Sequence, residues 1–115
     1  VNTKYVKRIP VKEKDKVLFI LTDEIDWIEA ADYYIKIHSK GSSFLLRETL
    51  LKLETQLDPE KFVRIHRNAI VNLDKIEQIT VNAYDKYAVK LLNGTVLDLS
   101  RRRKDRIEKI LGRKF

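Results

Sequence analysis

The stretch 62–72, FVRIHRNAIVN, alternates like a half-buried strand and then interrupts its own pattern. Successive strand residues point to opposite faces, so Arg64 and His66 project away from the aliphatic residues beside them. Arg67 and Asn68 break the alternation before Ala-Ile-Val resumes it. We therefore predict two strand segments joined by a bend of one or two residues, with Arg67 and Asn68 at its apex.

Short strands are predicted on both sides of this stretch. Residues 8–21 are typical of two strands around a polar turn at 12–16. Two more strands are predicted at 25–30 and 33–39. A turn around Gly41 follows, because glycine accepts a positive φ without strain. Further strands are predicted at 75–82, 86–92 and 95–99, with a tight turn at Asn93-Gly94.

Two helices interrupt the strands. Four leucines recur at helical spacing, at positions 46, 50, 53 and 57. We predict a helix from Glu48 to Leu57, which Asp58-Pro59 ends. A last helix is predicted from Arg101 to about Leu111, with Ser100 as its N-cap and Gly112 at C′.

These elements predict a mainly β fold. About ten short strands form small antiparallel sheets, with one short internal helix and one C-terminal helix. No repeat, low-complexity tract or linker divides the chain, so we predict a single domain over residues 1–115.

Charge is distributed unevenly along the chain, whose formal net charge is +7. Residues 101–115 hold eight Lys or Arg against two acids, whereas residues 23–32 hold five acids and no base. This polarity predicts a polyanionic partner on one side of the domain. A solvated basic tail is the alternative interpretation.

Composition also limits the class of protein. The chain has no cysteine, which excludes disulfides and thiolate metal sites, and no apolar run approaches the roughly 18 residues of a membrane span. We expect a cytoplasmic protein with no membrane partner. Two isolated histidines, no nucleophile motif, no phosphate-binding glycine loop and no metal-ligand spacing predict that it is not an enzyme and has neither cofactor nor metal. A hydrolytic site assembled in three dimensions from His38 or His66 is the alternative.

The start of the last helix places four cations where the helix dipole disfavours them. A helix N-terminus carries about half a positive charge, so each cation in the first turn costs a few tenths to about 1 kcal/mol. Acids are the residues expected there for stability. A bound phosphate or base edge would make the arrangement favourable; a poorly optimised surface helix is the alternative. The four cations are Arg101, Arg102, Arg103 and Lys104.

The bend at 67–68 carries residues suited to reading DNA. Arginine pairs with guanine through two hydrogen bonds in the major groove, and asparagine pairs with adenine. Arg64 and His66 suit phosphates beside the apex. Alternatively, His66 holds the bend and Arg67 is a solvated loop residue. Arg47 is predicted to contact a phosphate or an acid.

Aromatic residues give a weaker indication of nucleic-acid binding. Tyr33 and Tyr34 are adjacent and point to opposite faces of a strand, so at most one can stack on a base. We favour the interpretation that the two tyrosines are core and rim aromatics, and that Trp27 is a core residue.

The chain resembles the LytTR DNA-binding domain, the output domain of LytR/AlgR-type response regulators. Four segments occur in that family's order and spacing: IDWIEAADYYIKIHS, FLLRETLLKLETQL, FVRIHRNAIVNLDKIEQI and NGTVLDLSRRRKD. The resemblance covers about residues 8–111. It implies sequence-specific binding of double-stranded promoter DNA by loops inserted into the major groove. It also implies an N-terminal receiver domain, repeated half-sites and a dimer on bent DNA.

Three segments would then meet the DNA. They are Ala31-Asp32-Tyr33, His66-Arg67-Asn68 and Ser100-Arg101-Arg102, the last with Lys104 behind it. Arg67, Asn68, Arg101 and Tyr33 are the implied base contacts. The implied backbone or positioning residues are Arg47, Arg64, His66, Ser100, Arg102 and Lys104.

Two departures from the family qualify this assignment. Many members have Ser at the position of Asn68, and Asp32 would repel phosphate, so a contact from that loop would come from Tyr33 or a backbone group. Two other classes remain alternatives: a protein-interaction module that uses the acidic residues 23–32, and an RNA-binding β domain.

Overall fold

The computed structural model describes residues 4–115 and has the predicted mainly β fold, with ten strands and two helices in that range. Residues 1–3 of the predicted domain lie outside the described residues. The strands are β1 (Arg8–Glu13), β2 (Lys16–Leu21), β3 (Ile25–Ala31), β4 (Tyr34–Ser39), β5 (Ser42–Leu46), β6 (Phe62–His66), β7 (Ala69–Asn72), β8 (Ile76–Val81), β9 (Tyr87–Leu91) and β10 (Val96–Leu99). The helices are α1 (Leu50–Glu54) and α2 (Arg101–Leu111).

The strands form three antiparallel sheets. A five-stranded sheet with the order β5-β4-β3-β7-β6 lies at the centre. The β1–β2 hairpin forms a second sheet, and β10-β9-β8 form a third. Every paired strand is antiparallel to its neighbour.

Two apolar cores occupy the two faces of the central sheet. The first lies between this sheet, the β1–β2 hairpin and α1, and it includes Ile28, Ile37 and Leu53. The second joins β6 and β7 to the three-stranded sheet and to Ile107 of α2. Because β7 is covered on both faces, all four of its residues are buried, which explains its unbroken apolar run.

Most predicted elements are confirmed. The hairpins at 8–21 and 76–91, the turn at Asn93-Gly94 and the bounds of the last helix all agree with the structure. Gly112 ends α2 with a φ of 74°, as the C′ prediction requires.

The internal helix is shorter than predicted. Thr49 is its N-cap, with the Thr49 hydroxyl accepting from the Lys52 N–H (3.1 Å), and the helix ends at Glu54 instead of Leu57. Leu46 belongs to β5, a strand that the helical leucine pattern concealed, and pairs with Ile35. The leucine spacing arose because a strand, a helix and the following turn all bury leucines in one core.

Candidate nucleic-acid interface

Four connections meet at one end of the molecule, here called the loop end. They are the β3–β4 turn, the β6–β7 turn, the β8–β9 turn and the start of α2. The Ala30 N–H donates to the Asn68 carbonyl (2.9 Å), which joins the first two. The Ser100 N–H donates to the Ile65 carbonyl (2.7 Å), which brings the start of α2 beside the second. The β8–β9 turn lies at the same end because β9 begins at Tyr87, opposite Leu99.

The β6–β7 turn is the predicted bend, formed by Arg67 and Asn68. Arg64 supports it from below: its Nη2 donates to the Arg67 carbonyl (2.6 Å) and its Nη1 to Glu54 Oε1 (3.1 Å). The Asn68 N–H donates to His66 Nδ1 (3.1 Å). Arg64 and His66 therefore hold the turn in shape, whatever else they contact.

His66 is neutral when it accepts this hydrogen bond, because Nδ1 must then carry no proton. Partial burial lowers the pKa of His66, and Arg64, Arg103 and Arg67 lower it further, against an opposing effect of Asp98. The surroundings thus favour the protonation state that supports the turn.

The apex residues project from this support. Arg67 and Asn68 are exposed, and within residues 4–115 neither side chain forms a hydrogen bond or ion pair. Only their backbone groups are used by the fold. Both side chains are therefore free to contact a ligand at the loop end.

The start of α2 also leaves polar groups free. Ser100 is at the predicted N-cap position, but its hydroxyl makes no capping hydrogen bond, and the first turn has no acid. Arg102 is exposed and has no ion pair within the described residues, whereas Arg101 pairs with Asp85 (3.3 Å). The hydroxyl of Ser100 and the guanidinium of Arg102 are thus available together.

A basic cleft of about 420 Å³ lies between α2, β6 and α1, and it includes Arg64, which holds the β6–β7 turn. Four arginines line it, and Glu54 is its only acid. Arg103 was predicted only as one of the four cations at the helix start. Arg106 was not predicted as a contact residue, although Arg102 and Arg106 stand four residues apart and so share one helix face. The arginines are Arg64, Arg102, Arg103 and Arg106.

Lys104 does not belong to the exposed cations at the start of α2. Its Nζ lies 2.7 Å from Glu108 Oε2 and above the rings of Tyr87 and Phe115, and its side chain is only 16% exposed. The hydrogen bond to Glu108 raises the pKa of Lys104 and lowers that of Glu108. This placement gives no support to the predicted phosphate contact, because the ammonium group already has an internal partner.

Neither tyrosine is a core residue, so the core part of the interpretation is wrong. Tyr33 is 79% exposed in the β3–β4 turn, and Tyr34 is exposed with the guanidinium of Arg47 5.9 Å from its ring. Asp32 takes a φ of 59°, which turns the chain so that Tyr33 stands outward. Trp27 is half-buried against the second core and stacks on His38 at 4.3 Å.

The acids of residues 23–32 do not form one surface. β3 begins at Ile25, opposite Ser39, and ends at the loop end, so Asp23 and Glu24 lie at the far end of the sheet. Lys61 pairs with Asp23 and thereby lowers its pKa, and Lys40 pairs with Glu24 at 2.9 Å. Lysines therefore partly neutralise the acids of the far end, whereas the loop end carries the free arginines.

Residues 4–115 hold no group of three or more His, Asp or Glu arranged to bind a metal ion. In the same range, no helix has both the length and the apolar character needed to cross a membrane.

Known proteins share both this sequence pattern and this fold. An uncharacterised response regulatory protein of Vibrio cholerae is 32% identical over 70% of this chain and 32% of its own length. The CO-responsive transcriptional regulator RcoM of Rhodospirillum rubrum is 30% identical over 60% of this chain and 29% of its own length. For the transcriptional regulatory protein LytR of Staphylococcus aureus, the identity is 27% over 87% of this chain and 41% of that protein. The chain thus spans about a third of the length of these relatives.

A solved LytTr DNA-binding domain from Bacillus cereus superimposes with a TM-score of 0.81, covering 93% of this chain and 98% of that one at 21% identity. The fold is therefore shared although few residues are. The family model described as the LytTr DNA-binding domain matches residues 15–112. The chain belongs to the LytTr DNA-binding domain family.

Proposed function

We propose that this domain binds double-stranded promoter DNA sequence-specifically by inserting its loop end into the major groove. The observation that carries the proposal is the β6–β7 turn, which presents Arg67 and Asn68 from a rigid support with their side chains unused. A turn held by Arg64 and His66 enters a groove without first being ordered, so little entropy is lost there on binding.

Base contacts come from three neighbouring segments in this proposal. Arg67 and Asn68 offer the two-point hydrogen-bonding geometry that suits guanine and adenine. Arg101 approaches the same groove from the start of α2, and Tyr33 from the β3–β4 turn. The hydrogen bonds among the loop-end segments support their acting as one surface.

Phosphate contacts come from the flanks of that surface. The basic cleft places Arg102, Arg103 and Arg106 along β6, the strand that leads to the turn. The Ser100 hydroxyl and the free N–H groups at the start of α2 add donors for the same anion. Arg47, exposed at the end of β5, serves the other side.

Two observations favour duplex DNA over the alternatives. The most exposed tyrosines, Tyr33 and Tyr84, stand on separate turns instead of on one sheet face, which disfavours a stacking platform for single-stranded RNA. Asp23 and Glu24 already pair with lysines of the same domain, which weakens the case for an acidic protein-binding edge.

The wider role is also part of this proposal. We assign the chain to a bacterial transcriptional response regulator in which it is the output domain, joined to an N-terminal receiver domain and acting in the cytoplasm. The relatives named as response and transcriptional regulators support this, since the match covers only 32% of the one and 41% of the other. A dimer on repeated half-sites is the arrangement we propose on the promoter.

A selection experiment tests the proposal. Duplexes chosen from a random pool should bind better than scrambled duplexes, single-stranded DNA or RNA of the same length. The logarithm of the affinity should fall with the logarithm of salt concentration by about 0.9 per phosphate contacted. Equal competition by RNA, or the absence of any selected sequence, would contradict it.

A further inference from the structure

Arg101 is tied to a loop that the proposed function does not use. Its Nη2 lies 3.3 Å from Asp85 Oδ2, in the β8–β9 turn. The side chains of Arg101 and Asp85 are 70% and 72% exposed, so this pair stands at the surface of the loop end. Both residues line a cavity with Tyr84, Tyr87 and Asp98.

The turn that carries Asp85 is ordered by its own hydrogen bonds. Asn82 Oδ1 accepts from the N–H groups of Tyr84 (2.8 Å) and Lys86 (3.1 Å). The Asn82 carbonyl accepts from the Asp85 N–H (3.1 Å), and Asp85 takes a left-handed φ of 58°. The carboxylate is therefore offered to Arg101 from a defined position.

The pair changes what Arg101 can do near DNA. A guanidinium has five N–H donors in a planar fork, and Asp85 uses one edge of it. The net charge of the pair is zero, so its attraction to phosphate is weak compared with that of a free arginine. The donors on the other edges remain available, and the ion pair favours the orientation of the guanidinium that faces them outward, which suits the two acceptors of guanine.

We infer that Asp85 is a specificity-determining positioning residue, which orients Arg101 toward a base edge and keeps it from phosphates. The inference rests on the proposed function, because it concerns how the same loop end selects its duplex. It adds the β8–β9 turn to the segments that determine recognition.

The test compares binding to a duplex selected from a random pool with binding to a scrambled duplex, for the 115-residue chain and its variants. Asp85→Asn removes the charge but keeps the shape, and asparagine accepts a left-handed φ. We expect Asp85→Asn to raise affinity for the scrambled duplex and to lower the ratio of selected to scrambled affinity by about twofold to fivefold, the range for an exposed ion pair.

A neighbouring acid provides the matched control. Asp98 is exposed in β10, lines the same cavity, and has no ion pair with arginine in the described part of the chain. Asp98→Asn removes the same charge from the same end, so it should raise both affinities and leave their ratio unchanged. In an Arg101→Ala background, Asp85→Asn should no longer change the ratio.

The outcomes separate this inference from the proposed function. If the wild-type chain selects a duplex but Asp85→Asn leaves the ratio unchanged, the role of Asp85 is overturned and DNA binding stands. The role of Asp85 is also overturned if Asp98→Asn lowers the affinity ratio equally. It is likewise overturned if Asp85→Asn still lowers the ratio in the Arg101→Ala background. If the wild-type chain selects no duplex, both proposals are overturned. Unchanged thermal unfolding of each variant confirms that the comparison is between folded proteins.

Discussion

Arg64→Met tests whether the β6–β7 turn depends on its support from below. Methionine is unbranched and of similar length, so it keeps much of the stem packing while removing every donor. Arg64 is 17% exposed and makes two hydrogen bonds, to the Arg67 carbonyl at 2.6 Å and to Glu54 Oε1 at 3.1 Å. The substitution therefore removes the side-chain link that Arg64 makes between the turn and α1.

The expected magnitude follows from these two bonds. A hydrogen bond that involves a charged group contributes about 1.5–3 kcal/mol, and a partly exposed ion pair contributes about 1 kcal/mol or less. Glu54 is partly exposed and regains water when Arg64 is lost. We expect the free energy of unfolding to fall by about 2 kcal/mol. For a chain of 115 residues this lowers the unfolding midpoint by about 8 °C.

Duplex binding should fall together with stability. Once unsupported, the turn samples other conformations, and ordering it on the DNA costs free energy that the wild-type chain does not spend. We expect selected-duplex affinity to fall by about tenfold or more, and scrambled-duplex affinity to fall less. Chemical denaturation and fluorescence anisotropy measure the two effects.

Arg106→Met is the matched control. Arg106 lines the same basic cleft but is exposed and makes one long hydrogen bond, to the Pro59 carbonyl at 3.3 Å. It should lower selected and scrambled affinity alike, with little change in stability. The supporting role of Arg64 is ruled out if Arg64→Met unfolds at the wild-type midpoint, or if Arg64→Met and Arg106→Met change the affinity ratio equally.

Three further predictions concern single side chains. Arg67→Ala should cost about 1–3 kcal/mol on the selected duplex and far less on random sequence, because its guanidinium is unused by the fold; an equal loss on both would argue against base contact. The loss of folding stability caused by Glu108→Gln should shrink as the pH falls. Lys104 lowers the pKa of Glu108, so the ion pair stabilises the fold fully above the unfolded-state pKa of about 4.5, and this contribution is lost as the pH falls below that value. Acid unfolding titrations of both proteins measure the difference. His66→Gln should reduce the loss of folding stability between pH 7.5 and 5.5. Burial lowers the pKa of His66, so the folded chain is disfavoured as the pH falls below the unfolded-state value of about 6.5. Parallel curves of stability against pH for the two proteins would contradict this.

Local patterns were enough to predict the hairpins and the last helix. Each depends on residues close together in sequence, such as Asn93-Gly94 at a turn or Gly112 after a helix. The apex at 67–68 was predictable for the same reason, since two polar residues interrupt an alternating strand. The internal helix was predicted too long because Leu46 and Leu57 share a core with α1 without belonging to it.

Residue order alone places polar side chains at a bend between two buried strands and gathers cations at a helix start. The partner of each cation depends instead on how distant segments pack. Lys104 and Arg101 are three residues apart, yet one is enclosed by Glu108 and two aromatic rings while the other reaches Asp85 on a separate hairpin. Periodicity assigns a residue to a face of its own element. Partners that come from distant segments depend on how the sheets pack, and that packing separates the arginines free to bind from the cations the fold already uses.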